Sequence, residues 1–139
     1  MKRIHWKLGV ASVIALALCA AGIHTLKAQQ AAPTVKRNII FKHDMSIPGH
    51  EAVMALVEIP PGGSEGKHIH PAAEVFGYVL EGELTQNIEG QPEKVLKAGD
   101  VIHILPGQVH EGSNKGTTPV KISAVFVAEK GKPLTTQVQ

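Results

Sequence analysis

Two histidines and a glutamate stand close together in the stretch GKHIHPAAEVFGYVLEG, residues 66–82. Alternate residues of a β-strand share a face and lie about 6.6 Å apart, so His68 and His70 would point the same way. Two imidazoles placed like this can bind one metal ion, and Glu74 could add a carboxylate oxygen. The alternative is three solvated loop residues with accidental spacing, because matches to such short patterns arise by chance.

A second stretch, AGDVIHILPGQVHEGSN, residues 98–114, offers a third imidazole. Here a strand-like run ends at the turn Pro106-Gly107, and His110 follows it. A turn of this kind reverses the chain. The HxH pair alone is weak evidence for a site, and this second stretch supports it.

Short apolar segments separated by Gly and Pro must position these residues. No window shows a helical stripe, and the segments recur about every ten residues, which is typical of an all-β sandwich or barrel. The predicted strands are 52–59, 75–80, 84–88, 94–96, 101–105 and 120–128. The tail 130–139 has no clear assignment.

The first 28 residues have the pattern of a targeting segment. A basic head (Lys2, Arg3 and Lys7) precedes an uncharged run from Leu8 to Ile23, which as a helix would reach roughly 24 Å, short of the roughly 30 Å of a bilayer core. This pattern favours a signal peptide over residues 1–28, cleaved somewhere in 22–32, and a periplasmic or secreted protein. The alternatives are an uncleaved anchor, which would be the protein's one link to the membrane, and a buried helix.

Removal of the leader changes the charge of the chain. Four of the fourteen basic residues lie in residues 1–28, so ten remain against twelve acidic residues, a net charge of −2. This balance gives no reason to expect nucleic acid as a partner. The only cysteine, Cys19, leaves with the leader, so the core alone must hold the fold. Residues 33–139 have the usual length of one domain.

Both stretches together resemble the cupin superfamily. Its first motif is G, five residues, HxH, three or four residues, E, six residues, G; its second is G, five residues, P, one residue, G, two residues, H, three residues, N. The matching positions are Gly62, His68, His70, Glu74, Gly82, Gly99, Gly107, His110 and Asn114. The resemblance covers residues 62–114, and the combined spacing is far more specific than either motif alone.

Two positions depart from the family pattern. Seven residues, not six, separate Glu74 from Gly82. Gly77 could mark a bulge that absorbs the extra residue; otherwise Glu74 is displaced from the metal. Leu105 replaces the first proline of the second motif, but Pro106 and Gly107 keep the turn, so we expect no effect.

The resemblance implies a double-stranded β-helix jelly roll as a single domain over 33–139. It also implies a metal ion held by His68, His70, Glu74 and His110. Nitrogen and carboxylate ligands without thiolate suit divalent Mn, Fe, Ni, Cu or Zn. The alternative is that these polar residues lie at a barrel mouth with no ion. A homodimer is a further expectation from the resemblance.

The sequence predicts an exported cupin that binds a small molecule and acts as a metal-dependent, dioxygenase-like oxidoreductase. Fold resemblance alone does not select the reaction. One alternative is a non-catalytic periplasmic module that binds or senses a metal or small ligand, and another is a structural subunit. No nucleophilic triad or phosphate loop is evident.

Other polar and aromatic residues have structural interpretations. His43, His50 and His103 are expected at the surface, with a hydrogen-bonded role open to His103, and Asn114 in a turn. We expect Phe76, Tyr78 and Phe126 in the core or lining a pocket. The sequence leaves open whether Tyr78 or Gln86 reaches the cavity.

Overall fold

Two five-stranded antiparallel sheets make up the computed structural model, which describes residues 33–139. These residues belong to one compact unit. The predicted signal peptide and its cleavage region lie outside the described residues. The architecture confirms the all-β prediction, and residues 33–139 have no helix long and apolar enough to cross a membrane.

The strands follow each other closely along the chain. They are β1 Lys36–Asp44, β2 His50–Ile59, β3 His68–Ile69, β4 Ala73–Glu81, β5 Glu83–Ile88, β6 Lys94–Lys97, β7 Val101–Ile104, β8 His110–Ser113, β9 Val120–Glu129 and β10 Thr136–Gln137. One sheet has the order β1-β2-β9-β4-β7, and the other has the order β10-β3-β8-β5-β6. Neighbours in the chain thus often lie in different sheets.

The hydrophobic core lies between the two sheets. Strand β2 alternates between buried and less buried residues, with Val53, Ala55, Val57 and Ile59 turned inward. Such period-two alternation is what a half-buried strand requires. Side chains from both sheets join this core, including Val57, Ile59, Val75, Val79, Leu84, Ile102, Ile104, Val120 and Ile122.

Four strands had no clear sequence signal of their own. Strand β1, KRNIIFKHD, is exposed along its whole length at a sheet edge, so burial imposes no alternation on it. Strands β3 and β10 have only two residues each, and β8 has four. The six predicted strands all form, and each of their ends lies within two residues of the predicted position.

The structure of strand β4 corrects the expectation of a bulge at Gly77. Gly77 is not a bulge: it pairs regularly with Ala124 and Ile102, and the register shift lies between Val79 and Glu81. Gly77 is needed for packing instead, because a Cβ there would lie 3.0 Å from the Ile102 Cβ.

The aromatic residues of β4 are also placed differently from the prediction. Phe76 and Tyr78 are 43% and 48% exposed on the outer face, because the inward positions of β4 are the odd-numbered ones. Tyr78 therefore does not reach the interior. Phe126, by contrast, packs against the core as expected.

Candidate metal centre

Three buried histidines come together between the sheets. His68 lies on β3 and pairs directly with His110 on β8, while His70 follows β3 by one residue. One ring nitrogen of each residue lies within 4.8 Å of the other two. The sequence expectation that His68, His70 and His110 meet is therefore met by the fold.

Hydrogen bonds to backbone carbonyls fix which ring nitrogen carries the proton in all three histidines. The Nδ1 atoms of His68, His70 and His110 lie 2.8 Å, 2.6 Å and 2.9 Å from the carbonyl oxygens of Gly66, Leu134 and Gln108 respectively. A carbonyl oxygen can only accept, so each Nδ1 must carry the proton and donate. In the neutral ring Nε2 then keeps its lone pair, which is the form that binds a metal.

The environment favours the neutral imidazoles. Burial lowers the pKa of His110 to about 4, and the adjacent His68 and His70 add to this, while the hydrogen bond to Gln108 opposes it. Burial also lowers the pKa of His70, against the effect of its bond to Leu134. At neutral pH these two rings are therefore uncharged and could bind an ion without first losing a proton.

The donor set fits a divalent transition metal. Three imidazole nitrogens with oriented lone pairs suit Mn, Fe, Ni, Cu or Zn, and no thiolate or carboxylate joins the three rings in the cluster among residues 33–139. Each ring is held by a carbonyl partner, as metal-ligating histidines usually are. These three residues would hold the ion, and its identity stays open.

Glu74 does not join the three histidines. Its side chain lies on the outer face of β4, where Oε1 accepts a hydrogen bond from His103 Nε2 at 2.6 Å. The ring of His103 stacks on Phe76 with centroids 5.0 Å apart. The structure thus places Glu74 in a surface pair, and the surface expectation for His103 is met.

The reason for this placement is the register of β4. Successive side chains of a strand point to opposite faces, so one extra residue reverses the face. Counting back six residues from Gly82 leads to position 75, not 74, and Val75 occupies that inward position. The seven-residue spacing was the sequence signal for this difference.

A small cavity of about 80 Å³ adjoins the three rings. Its walls are mostly apolar, and Val75, Gly77 and Phe126 contribute to them. The Phe126 ring meets that of His70 edge to face, with centroids 5.2 Å apart. Gln86, 7% exposed, also lines the cavity and brings a polar amide to it.

Two ionisable residues that the sequence analysis missed line the same cavity. Arg37 on β1 donates from Nη2 to Glu65 Oε1 at 2.9 Å. Gly112 makes room for Glu65, since a Cβ there would lie 2.6 Å from Glu65 Oε2. Neither residue belongs to a recognisable motif, and they are 28 positions apart in the sequence, so only the fold shows that they are in contact.

Asn114 and the motif glycines have structural roles. The Asn114 side chain is 2% exposed; it donates to the carbonyls of Ile59 and Thr118 and accepts from the Gly116 amide. This is the turn role that the sequence suggested. Gly82 has a φ of 81°, and a Cβ there would lie 2.5 Å from the Pro119 carbonyl oxygen, so only glycine fits.

Comparison with known proteins identifies the family. The Cupin_2 family model, described as "Cupin domain", matches residues 55–127, more than half of the chain. The chain belongs to the cupin family. The prediction of a cupin from the two motifs is thereby confirmed.

Solved structures confirm the cupin fold. An uncharacterised conserved protein with a double-stranded beta-helix domain from Klebsiella pneumoniae aligns with a TM-score of 0.62 and 24% identity, over 79% of this chain and 87% of that one. At this identity the likeness concerns the fold alone. The predicted double-stranded β-helix is therefore present.

Two further cupin relatives carry functional names. An oxalate oxidase solved in complex with the substrate analogue glycolate is 31% identical, with a TM-score of 0.57, over 63% of this chain and 46% of that one. The Tetracenomycin polyketide synthase protein TcmJ of Streptomyces glaucescens is 30% identical over 66 residues, 48% of this chain and 44% of that protein. This cupin spans less than half the length of curated relatives such as TcmJ.

Proposed function

We propose that this cupin holds one divalent transition-metal ion on His68, His70 and His110 and acts on a small molecule as a dioxygenase-like oxidoreductase. The observation that carries the proposal is the common tautomer of the three rings, which directs all three Nε2 lone pairs away from their carbonyl partners. When bound, the ion supplies Lewis-acid or oxygen-activating chemistry. The glycolate-bound oxalate oxidase supports the oxidoreductase part of this proposal.

The surroundings of the histidines favour a small anionic ligand. Three neutral imidazoles leave the charge of a divalent ion uncompensated, so an anion is stabilised beside it. Arg37 adds a guanidinium at the cavity wall, and guanidinium groups bind carboxylates through two parallel hydrogen bonds. The cavity of about 80 Å³ limits the ligand to a few heavy atoms.

The chain's own residues position such a ligand. The mostly apolar walls lower the local dielectric around a bound ligand, which strengthens its electrostatic contacts. Gln86 can orient a carboxylate or hydroxyl through its amide. Glu65 holds Arg37 in the absence of ligand, and a bound carboxylate would compete with Glu65 for the guanidinium.

A non-catalytic binding module is the second candidate. Apart from the histidines, the ionisable side chains that line the cavity are Arg37 and Glu65, and they are paired with each other. No free general base is therefore evident in the described residues of the cavity. A metal or small-ligand sensor needs none.

Elemental analysis and oxygen uptake test both candidates. The purified chain from residue 33 is expected to contain one transition-metal ion per chain and to consume oxygen with a member of a panel of small carboxylic acids, thiols, diketones and flavonols. Full metal content without turnover on any of them would favour the binding module. Protein that takes up no metal from solutions of the five candidate ions would refute both.

The anion preference has its own test. Arg37→Gln is expected to weaken oxalate binding to the metal-loaded protein about tenfold, because a charge-assisted hydrogen bond is lost. Lys36→Gln is the matched control, since Lys36 lies on the outer face and pairs with Glu58. Equal oxalate affinity in both variants, measured by calorimetry, would contradict the role of Arg37.

Export and assembly complete the proposal. The basic head and apolar run of residues 1–28 support a cleaved signal peptide and a periplasmic or secreted protein. If the chain crosses the membrane unfolded, the ion is loaded outside the cytoplasm, where relative affinities favour Cu and Zn. Mn or Fe at full occupancy in protein from its native compartment would contradict this.

The homodimer is proposed from the family resemblance. Sedimentation measures the mass of the assembly in solution, and the mass of a single chain would contradict the proposal.

A further inference from the structure

The C-terminal segment, residues 133–139, lies directly against the histidine cluster. Its strand β10 pairs with β3, and Gln137 stands opposite His68. The Val138 amide donates to the Lys67 carbonyl at 3.0 Å. The segment therefore adds an edge strand next to the one that carries the first ligand.

The same segment supplies the partner of a second ligand. His70 Nδ1 donates to the Leu134 carbonyl at 2.6 Å, and Thr135 Oγ1 lies 3.4 Å from the same nitrogen. Thr135 also lines the cavity. The tail thus contacts the backbone beside His68, the ring of His70 and the cavity where a ligand would bind.

His70 differs from the other two histidines in the origin of its partner. His68 and His110 each bond to a carbonyl two residues earlier in the chain, whereas Leu134 is 64 residues from His70. Local chain geometry can hold the first two rings. Only docking of the C-terminal segment fixes the third.

The tail is held by few contacts. Strand β10 has two residues, both exposed, and stands at the edge of its sheet. Short, exposed edge elements open at a small fraction of the free energy of global unfolding. Detachment of the tail while the sheets stay folded is therefore accessible.

We propose that residues 133–139 form a positioning element of the metal centre, whose docking sets the tautomer and orientation of His70 and so couples tail attachment to metal binding. This inference rests on the proposed metal site. Because coupling between two binding equilibria is reciprocal, the docked tail strengthens metal binding by the same factor by which the metal stabilises the docked tail. Loss of such an outer partner typically weakens metal binding about 10- to 100-fold.

A truncation series tests the proposal with Zn²⁺ as the probe. A chain ending at Lys132 is expected to bind Zn²⁺ about 10- to 100-fold more weakly than the full chain, in competition with a chelator of known affinity. A chain ending at Val138 is the matched control, because it keeps Leu134, Thr135 and β10, and its affinity is expected to be unchanged. Equal affinities in both truncated chains would overturn the inference.

The tautomer of His70 gives a readout that a merely structural role would not move. In side-chain ¹⁵N spectra of the metal-free protein, His68, His70 and His110 are all expected to be protonated at Nδ1. Truncation after Lys132 should convert His70 alone to a mixture of tautomers. No change at His70 would contradict the inference.

Hydrogen exchange on the full chain covers the case in which the truncated protein does not fold. The Val138 amide is expected to exchange at least tenfold more slowly with Zn²⁺ bound, and the His110→Ala variant should lose this protection. Zn²⁺ binding without protection of Val138 would refute the coupling and leave the metal site intact. Absence of Zn²⁺ binding to the full chain would refute the proposed function itself.

Discussion

His68 and His110 face each other across the β3–β8 pairing, with ring centroids 4.2 Å apart and planes inclined by 55°. They are direct partners in an antiparallel ladder, where opposite side chains on one face approach closely. The 41 residues between them carry four strands of the fold, β4 to β7, and return the chain to lie beside β3. The site is therefore built by the pairing of two neighbouring strands within one sheet.

Replacement of His110 should remove the metal. His110→Ala deletes one of three nitrogen donors, so we expect metal retention after dialysis to fall by more than 100-fold. Loss of a residue that only hydrogen-bonds to a ligand typically costs about 10- to 100-fold, and loss of a ligand itself should cost more. His43→Ala is the control, since His43 lies exposed on β1 and bonds to the Asp44 carbonyl. Equal metal-to-protein ratios in the two variants would refute the site.

Replacement of Glu74 should leave the metal in place. Glu74→Gln changes a side chain that is paired with His103 on the outer face, so metal affinity is expected to stay within about twofold of the parent. The exposed pair contributes about 0–1 kcal/mol to stability. A loss of metal comparable to that of His110→Ala would show that the carboxylate is a ligand after all.

A carboxylate at position 75 should have the opposite effect. Val75 is 5% exposed and faces the cavity, so Val75→Glu would bury an unpaired charge and destabilise the metal-free protein by on the order of 3 kcal/mol. Metal should restore that stability, because the new oxygen can bind the ion. Thermal unfolding with and without Zn²⁺ measures both effects. An equal loss of stability in the two conditions would contradict the inward orientation.

Chelation should lower the melting temperature. A ligand that binds only the native state at a hundred times its Kd stabilises a protein by about 2.7 kcal/mol, which is roughly 10 °C or more for a domain of this size. We expect this drop when the metal-loaded protein is treated with EDTA, and recovery on adding metal. His110→Ala should show no such response, and a parent protein that also shows none would argue against metal-linked stability.

Asn114 should matter for stability alone. Asn114→Ala leaves the buried carbonyls of Ile59 and Thr118 without their donor, at a cost of about 1–3 kcal/mol for each unsatisfied group. Urea unfolding of the metal-free protein measures this loss, and the metal affinity of the folded variant should equal that of the parent. A change in affinity without a change in stability would indicate a ligand contact.

Local periodicity made much of the fold predictable. The six predicted strands all form because each has an apolar face that the core requires, as in Val120, Ile122 and Ala124 on β9. Strand β1 was missed because it is an exposed edge, where burial selects no pattern. Phe76 and Tyr78 were misplaced because an aromatic residue in a strand gives no sign of which face it occupies.

The sequence by itself determined the fold family, and through the resemblance of its two motifs to the cupin pattern it implied which three imidazoles meet. Each motif could be recognised because it is a short run of residues at fixed spacing in strands and turns. Only the tertiary structure decided that Val75 and not Glu74 faces the cavity, since one residue of register reverses every side chain of a strand. It also decided that the Leu134 carbonyl holds His70 and that Arg37 meets Glu65. These contacts join residues far apart in the chain, where no spacing rule applies and packing of the whole domain sets the distance.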